Sequence, residues 1–263
     1  MTIEDSQYFT RQVEVLKRVL IDTIYEDGVR ERFFDGTITT QEVDQILSTG
    51  VYDAHTKDGY TQPLRAETMI GIPRLSNFEW CIKDVVENEI EGDIIETGVW
   101  RGGACILASK VLKLLDSDKK IYVADSFEGL PKPDSKYKAD YKDPHHKLAH
   151  LRVSLEQVQD NFKRYKLLNH RVQFIKGFFK DSLTNVPFKK LAVMRLDGDM
   201  YSSTWETLTA LYDKLSIGGY IIIDDYSALP ACKLAVDDFR RERKITEEIM
   251  RVDWSAVFWK KEF

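Results

Sequence analysis

Short apolar stretches that alternate with helical patterns constrain the fold of this chain more than any other feature of its sequence. The strand-like runs are DIIETG, KIYVADS, VQFIKG, LAVMRLD and YIIIDD, which begin at residues 93, 120, 172, 191 and 220. Helical patterns lie around them, at 77–90, 103–115, 151–168, 202–214 and 230–243. Strands that alternate with helices form parallel sheets with helices on both faces. The sequence therefore predicts an α/β fold with a doubly wound, mostly parallel sheet.

The segments outside this alternation predict one domain with two additions. Residues 7–27 carry apolar side chains at helical spacing with charges between them, which indicates an amphipathic helix. GTITTQEV, at 36–43, adds a plausible helix start. Residues 1–75 hold too few apolar residues for a core of their own, so we interpret them as an N-terminal helical cap on a core at 76–263. The polar, proline-containing stretch 131–150 is expected to form a loop or lid.

Charge and cysteine content exclude several classes of protein. The net charge of -5 is mild, and no basic block of the kind that neutralises phosphates is present, which argues against nucleic acid as a partner. The 3 cysteines are widely spaced, as expected for reduced thiols rather than a disulfide framework or a zinc cluster. The first residues lack the pattern of a signal peptide, and no apolar run approaches the roughly 18 residues of a membrane span. We expect a cytoplasmic protein that does not bind membranes.

Acidic residues stand where the apolar strands stop. The set comprises Glu96, Asp125, Asp197, Asp199, Asp224 and Asp225. In doubly wound sheets, ligands bind outside the carboxyl ends of the strands, near the point where the strand order reverses. The acids are therefore predicted to surround a ligand site.

The first strand leads into a glycine-rich turn, ETGVWRGGACI, with Gly98 at its start. Such a turn lets the backbone approach a ligand closely, although about half of similar turns are simple connections. Asp125, which ends the next strand, could accept hydrogen bonds from the ribose hydroxyls of an adenosine cofactor. Glu96 directly before the turn disfavours a pyrophosphate and suits a positively charged group, such as the amino end of S-adenosylmethionine.

The acids that end the two later strands predict a site for a hard cation. Asp197, Asp224 and Asp225 could supply the oxygen ligands that Mg²⁺ prefers. No histidine or cysteine lies near them in the sequence, which disfavours zinc or copper. For any single aspartate, capping of the following helix is an equally good account. Repulsion between clustered carboxylates makes a cation the better account for the three together.

Asp199 lies two residues beyond the predicted ligand Asp197. A cation that contacts a substrate hydroxyl lowers the pKa of that hydroxyl, and a neighbouring base must then take the proton. Asp199 is the candidate for this base. It could instead cap the helix predicted at 202–214, for which Ser202 and Ser203 are alternatives.

Several motifs, taken in order, resemble the macrocin and mycinamicin sugar O-methyltransferase family, which includes the novobiocin noviose methyltransferase. These are TMIG, ETGVWRGGACI, VADSFEGLPKPD, GFFKDSL, LDGDMYSST and IIIDDY, and the resemblance extends over about residues 8–260. It implies a class I methyltransferase fold, S-adenosylmethionine as methyl donor, Mg²⁺ dependence and assembly into dimers or larger homo-oligomers. The implied acceptor is a sugar hydroxyl on a glycosylated natural product.

The resemblance also implies roles for individual residues. The metal ligands are Asp197, Asp224 and Asp225, and the general base is Asp199. The methionine part of the cofactor is implied to lie near Glu96 and Gly98, the ribose near Asp125 and Ser126, and the adenine near Asp181. A segment that closes over the cofactor contains Met69 and Ile70.

Two other functions remain open at the level of the sequence. A catechol-type O-methyltransferase would share the metal arrangement but would need an apolar clamp for a flat aromatic diol. The polar character of 131–150 favours a sugar instead. A non-catalytic S-adenosylmethionine-binding module could keep the glycine-rich turn and Asp125, but it would have no use for the three clustered aspartates.

Overall fold

The computed structural model describes residues 3–22, 39, 41 and 65–262. Its strands are β1 (Asp93–Thr97), β2 (Ile121–Asp125), β3 (Val172–Lys176), β4 (Leu191–Leu196), β5 (Leu215–Ile223), β6 (Met250–Arg251) and β7 (Val257–Lys260). They form one sheet in the order β3-β2-β1-β4-β5-β7-β6. Neighbours from β3 to β5 are parallel, whereas β7 is antiparallel to both β5 and β6. The predicted α/β fold with a mostly parallel sheet is confirmed.

The helices are α1 (Ile3–Leu20), α2 (Ile72–Glu87), α3 (Gly103–Leu114), α4 (Leu155–Arg164), α5 (Phe179–Ser182), α6 (Tyr201–Leu211) and α7 (Pro230–Arg243). None of the described helices has both the length and the apolar character needed to cross a bilayer. The segment 131–150, called the lid segment below, contains short 3-10 turns at Lys138–Asp140 and His145–Lys147, as expected for an ordered loop.

Two helices have different ends from the predicted ones, and a local feature of the chain explains each difference. Helix α1 begins before residue 7 and ends at Leu20, because Asp22 has a φ of 56° and leaves the helical region. Residues 23–27 of that prediction lie outside the described residues, as does most of the helix start predicted at 36–43. Helix α4 is shorter than 151–168, because the Ser154 hydroxyl caps it by accepting a hydrogen bond from the Gln157 amide at 3.2 Å.

Side chains alternate between two apolar cores on opposite faces of the sheet. In β5, Tyr220 and Ile222 face the core that contains residues of α1, α2, α3 and α4. Ile221 and Ile223 face the core that contains residues of α6 and α7. The α1 helix is part of the first core and is also held by the buried ammonium of Lys17, which contacts Glu79 at 2.6 Å. Burial on both faces explains the nearly continuous apolar sequence of the central strands.

The switch point of the sheet lies between β1 and β4. From β1 the chain proceeds outward through β2 and β3, and it then returns to build β4 and β5 on the other side of β1. The turn after β1 runs against the end of β4 so closely that a Cβ on Gly98 would lie 1.6 Å from the backbone oxygen of Asp197. Gly98 also has a φ of 81°, so only glycine fits here without strain.

We predict that Gly98→Ala destabilises the protein more than an alanine at another positive-φ glycine. The matched control is Gly218→Ala, because Gly218 has a φ of 86° but its added Cβ would meet side chains rather than backbone, with Ile90 nearest at 2.8 Å. The backbone conformation should cost about 1–2 kcal/mol in both variants, and the rigid clash should add a further 1–3 kcal/mol or so for Gly98 alone. Urea unfolding of the two variants would measure the difference. Equal losses would contradict the close approach of the two strand ends.

Candidate active site

A cavity of about 520 Å³ opens at the carboxyl ends of β1, β2 and β4. Eight of the residues predicted from the sequence to serve the site line it: Met69, Ile70, Glu96, Gly98, Asp125, Ser126, Asp197 and Asp199. Other parts of the wall come from the lid segment, α5 and α6, through residues such as Lys132, His146, Phe179 and Ser202. The structure therefore brings the glycine-rich turn and the acidic LDGD turn to one cavity.

The carboxylate of Asp125 is fixed by backbone amides on both sides. One oxygen accepts a hydrogen bond from the Val99 amide at 2.8 Å, and the other accepts one from the Phe127 amide at 2.8 Å. Burial raises the pKa of Asp125, and these amides oppose that shift. Ser126 shapes the same loop, because its hydroxyl donates to the Gly129 carbonyl at 2.6 Å. Asp125 thus ties the end of β2 to the glycine-rich turn after β1.

Glu96 lines the cavity, yet its carboxylate is engaged by protein groups. One oxygen accepts a hydrogen bond from the Arg195 guanidinium at 2.6 Å, and the other accepts one from the Cys105 thiol at 2.7 Å. Burial raises the pKa of Glu96, and the charge of Arg195 acts against this. The predicted contact between Glu96 and the methionine part of a cofactor stays a prediction.

Arg195, fully buried in β4, joins the acidic ends of neighbouring strands. Besides Glu96, its guanidinium contacts Asp197 at 2.8 Å and also Asp224. A second arginine, Arg74 of α2, contacts Asp224 at 2.5 Å and Asp253 at 3.0 Å. Buried charges are tolerated only when they are paired, and these two arginines compensate the carboxylates beneath the cavity.

Three carboxylates lie close together beside the cavity, and two of them, those of Asp197 and Asp199, line it. One oxygen from each of Asp197, Asp199 and Asp225 lies within 4.8 Å of the others. Burial and the neighbouring negative charges raise the pKa values of Asp197 and Asp225. The Oδ2 atom of Asp225 is buried without a hydrogen-bond partner among the described residues. Oxygen ligands of this kind fit a hard divalent cation such as Mg²⁺.

Asp224 occupies a different position from its sequence neighbour Asp225. Its carboxylate is buried and faces Arg74 and Arg195, and it is not part of the group of three carboxylates. Asp199, predicted to be the base, lies within that group instead. The predicted role of Asp224 as a metal ligand stays a prediction, as does that of Asp199 as the base.

The cap of α6 comes from a residue that sequence reasoning missed. The helix begins after Met200, and neither Asp199 nor Ser202 nor Ser203 supplies a side-chain cap. The carboxylate of Asp140 in the lid segment instead accepts hydrogen bonds from the amides of Tyr201 and Ser202, at 2.7 and 2.9 Å. The capping alternative for Asp199 is therefore wrong.

Two further placements bear on the predictions. The cavity wall includes Phe178, Phe179 and Lys180 but not Asp181, whose predicted contact with an adenine stays untested. Sequence reasoning also missed Arg195. A charge inside the apolar run LAVMRL could have indicated its role, because a buried arginine requires acidic partners.

Comparison with known proteins identifies relatives over nearly the whole chain. The profile of the family described as Macrocin-O-methyltransferase (TylF) matches residues 9–261. The demethyldecarbamoylnovobiocin O-methyltransferase of Streptomyces niveus is 43% identical over 253 residues, which cover 95% of this chain and 92% of that protein. The solved structure of the O-methyltransferase NovP is 41% identical, with a TM-score of 0.84 and coverage of 98% of this chain and 100% of that one.

A third relative matches this chain over a similar length. The 8-demethyl-8-(2,3-dimethoxy-alpha-L-rhamnosyl)-tetracenomycin-C 4'-O-methyltransferase of Streptomyces olivaceus is 40% identical over 252 residues. The match covers 94% of this chain and 91% of the relative. All three similarities extend over both the cavity and the lid segment.

We predict that Arg195→Met costs about 3–5 kcal/mol of stability, because the variant leaves buried carboxylates without their partner. The matched control is Arg241→Met, since Arg241 is 76% exposed and pairs with Asp238 at the surface. Surface pairs contribute less than about 1 kcal/mol, so this variant should unfold nearly as the wild type does. Urea unfolding at neutral pH measures both. A loss for Arg195→Met no larger than the control's would show that the buried pairs do not support the site.

Proposed function

Because the chain belongs to the macrocin O-methyltransferase family and is an S-adenosylmethionine-dependent O-methyltransferase, we propose that it methylates a sugar hydroxyl of a small natural-product glycoside with the help of Mg²⁺. The observation that carries this proposal is the group of three carboxylates, Asp197, Asp199 and Asp225, of which the first two line the cavity. A protein that only bound the methyl donor would have no need for such a group.

The sugar acceptor is supported by the chemistry of the cavity wall. Lys132, Asp134 and His146 of the lid segment line the cavity and offer hydrogen-bonding groups suited to hydroxyls. The name of the Streptomyces olivaceus relative includes a rhamnosyl group, which agrees with a sugar. A catechol would instead require an apolar clamp around a flat ring, and the polar lid side of this cavity does not favour one.

The donor half of the site would be built from the ends of β1 and β2. The carboxylate of Asp125 is held in place by two backbone amides, and it keeps further lone pairs for the hydroxyls of a ribose. Gly98 brings the backbone of the turn close to the cavity, where Glu96 adds negative charge for a cationic donor. Met69 and Ile70 add apolar side chains to the cavity wall.

Mg²⁺, when bound, would polarise the acceptor hydroxyl and lower its pKa. Asp197 and Asp225 are the residues that would hold it, because their oxygens lie together and one atom of Asp225 has no protein partner among the described residues. Asp224 would have to turn toward the other carboxylates to serve as a third ligand, because its oxygens lie outside the group of three. In its present position it orients the two arginines beneath the site.

Asp199 would accept the proton that the acceptor hydroxyl loses. Burial raises the pKa of Asp199, with an opposing effect from His145. A carboxylate with a raised pKa binds a proton more firmly, which suits a base. Its backbone has a φ of 58°, an uncommon conformation that is often found at active sites. Methyl transfer then needs the hydroxyl oxygen in line with the sulfonium carbon, and holding both in one cavity would supply several kcal/mol.

We predict that the protein, S-adenosylmethionine and Mg²⁺ together add one methyl group to the sugar of a glycoside. The assay is mass spectrometry on a panel of natural-product rhamnosides, with the matching aglycones and a catechol as controls. Excess chelator should abolish the reaction, and Mg²⁺ should restore it. Methylation of the catechol alone would contradict the sugar acceptor, and full turnover in excess chelator would contradict the metal.

We predict that Asp199→Asn lowers turnover by about 10²–10⁴-fold, because an amide cannot take the proton. The affinity for S-adenosylmethionine, measured by calorimetry, should stay close to that of the wild type. Asp160→Asn is the control, since the Asp160 side chain is 66% exposed on α4. If Asp199→Asn turns over normally, another group is the base.

A further inference from the structure

The start of α6 depends on a residue far away in the sequence. Helix α6 directly follows the LDGD turn, and the residue that precedes its first turn is Met200, which cannot cap it. Its first amides would be left without partners in a buried position, at a real cost in free energy. The carboxylate of Asp140 fills this gap, with one oxygen on the Tyr201 amide at 2.7 Å and the other on the Ser202 amide at 2.9 Å.

Asp140 is itself completely buried, with 0% of its surface exposed. A buried carboxylate must be compensated, and two amides at the positive end of a helix provide that compensation. The contact is reinforced nearby, because the ring of Tyr137 lies 5.6 Å from the ring of Tyr201. The lid segment is therefore held to α6 by these hydrogen bonds. Among the described residues, none next to Asp140 or at the start of α6 supplies other partners for the carboxylate and the two amides.

The same contact reaches the residues that carry the chemistry. Asp199 lies two positions before Tyr201, in a turn whose backbone is already strained at φ 58°. On the other side, the lid segment contributes Lys132, Asp134 and His146 to the cavity wall. The far end of the segment is fixed separately, where the Trp100 indole donates to the His150 carbonyl at 2.8 Å.

From this arrangement we infer that Asp140 is a positioning residue for methyl transfer. It holds the turn that carries Asp199 and the lid wall of the acceptor cavity in one fixed relation. Release of the lid segment would remove the cap of α6 and free the Asp199 turn at the same moment. The lid segment is thus closed only when Asp199 is correctly placed, and the two conditions are gained or lost together. This inference rests on the proposed function, because it takes Asp199 as the base.

The test compares Asp140→Asn with Ser154→Ala in the full-length protein. Asparagine keeps the size of Asp140 but presents only one acceptor oxygen and no charge to the two amides. Ser154→Ala removes the cap of α4, a comparable loss at a helix that carries none of the proposed catalytic groups. Peptide-resolved hydrogen exchange is measured without donor, acceptor or metal. Turnover is measured with a rhamnoside that the wild-type protein methylates.

For Asp140→Asn we expect faster exchange both in the lid segment and at 198–203. Turnover should fall about 10–100-fold, as a displacement near 1 Å of a reacting group can cause. Affinity for S-adenosylmethionine should change less than about twofold, because the proposed donor contacts, at the ends of β1 and β2 and at Met69 and Ile70, do not include Asp140. Ser154→Ala should leave turnover unchanged. Equal losses in the two variants, or faster exchange of the lid segment with unchanged turnover, would overturn the positioning role.

A measurement on the unmodified protein covers the case in which Asp140→Asn does not fold. The Tyr201 and Ser202 amides donate to the carboxylate of Asp140, so they can exchange only after these hydrogen bonds break. They should have a protection factor similar to that of the Asp143 amide, which is bonded to the Asp140 carbonyl at 3.0 Å. Widely different protection factors would overturn the inference. Because this readout needs no acceptor, it separates failure of the inference from failure of the proposed function.

Discussion

The buried guanidinium of Arg195 is the interaction on which the site depends. Parallel strands end at one edge of the sheet, and here β1, β4 and β5 all bring acids to that edge. Carboxylates so close together in a water-poor environment would repel each other and destabilise the fold. Arg195 contacts Glu96, Asp197 and Asp224, one from each of these strands or the residue that follows it, and so converts the repulsion into attraction. The three strand ends can then converge without a metal.

This arrangement separates the acids into two layers. The lower layer is neutralised by arginines: Glu96 and Asp224 contact Arg195, and Asp224 also contacts Arg74. The upper layer, Asp199 and Asp225, makes no ion pair with an arginine among the described residues and lies close to Asp197. Asp197 belongs to both layers. The proposed cation site would therefore share Asp197 with a preformed ion-pair network, and this network would form without the ion.

The sequence predicted the sheet, the family and the cavity, because each depends on local patterns. Strands β2 and β4 begin and end within one residue of the predicted runs KIYVADS and LAVMRLD, and α7 has the predicted bounds. The family resemblance is confirmed over nearly the whole chain. The partners of Arg195 and Asp140 were not predicted, since each contact joins residues from separate elements. Asp224 and Asp225 look equivalent in the sequence, and only the backbone direction after β5 separates their environments.

The Asp140 contact has a consequence for exchanging lids between related enzymes. A transplanted segment could carry every side chain needed to recognise a new sugar and still lack a carboxylate at the register of Asp140. The recipient would then have two unsatisfied amides beside its reactive turn. A segment for such a chimera should therefore be chosen first for an aspartate at this position. Its match to the intended substrate should be considered afterwards. If the lid segment selects the acceptor and Asp199 takes its proton, as we propose, the two properties would pass together from one enzyme to another.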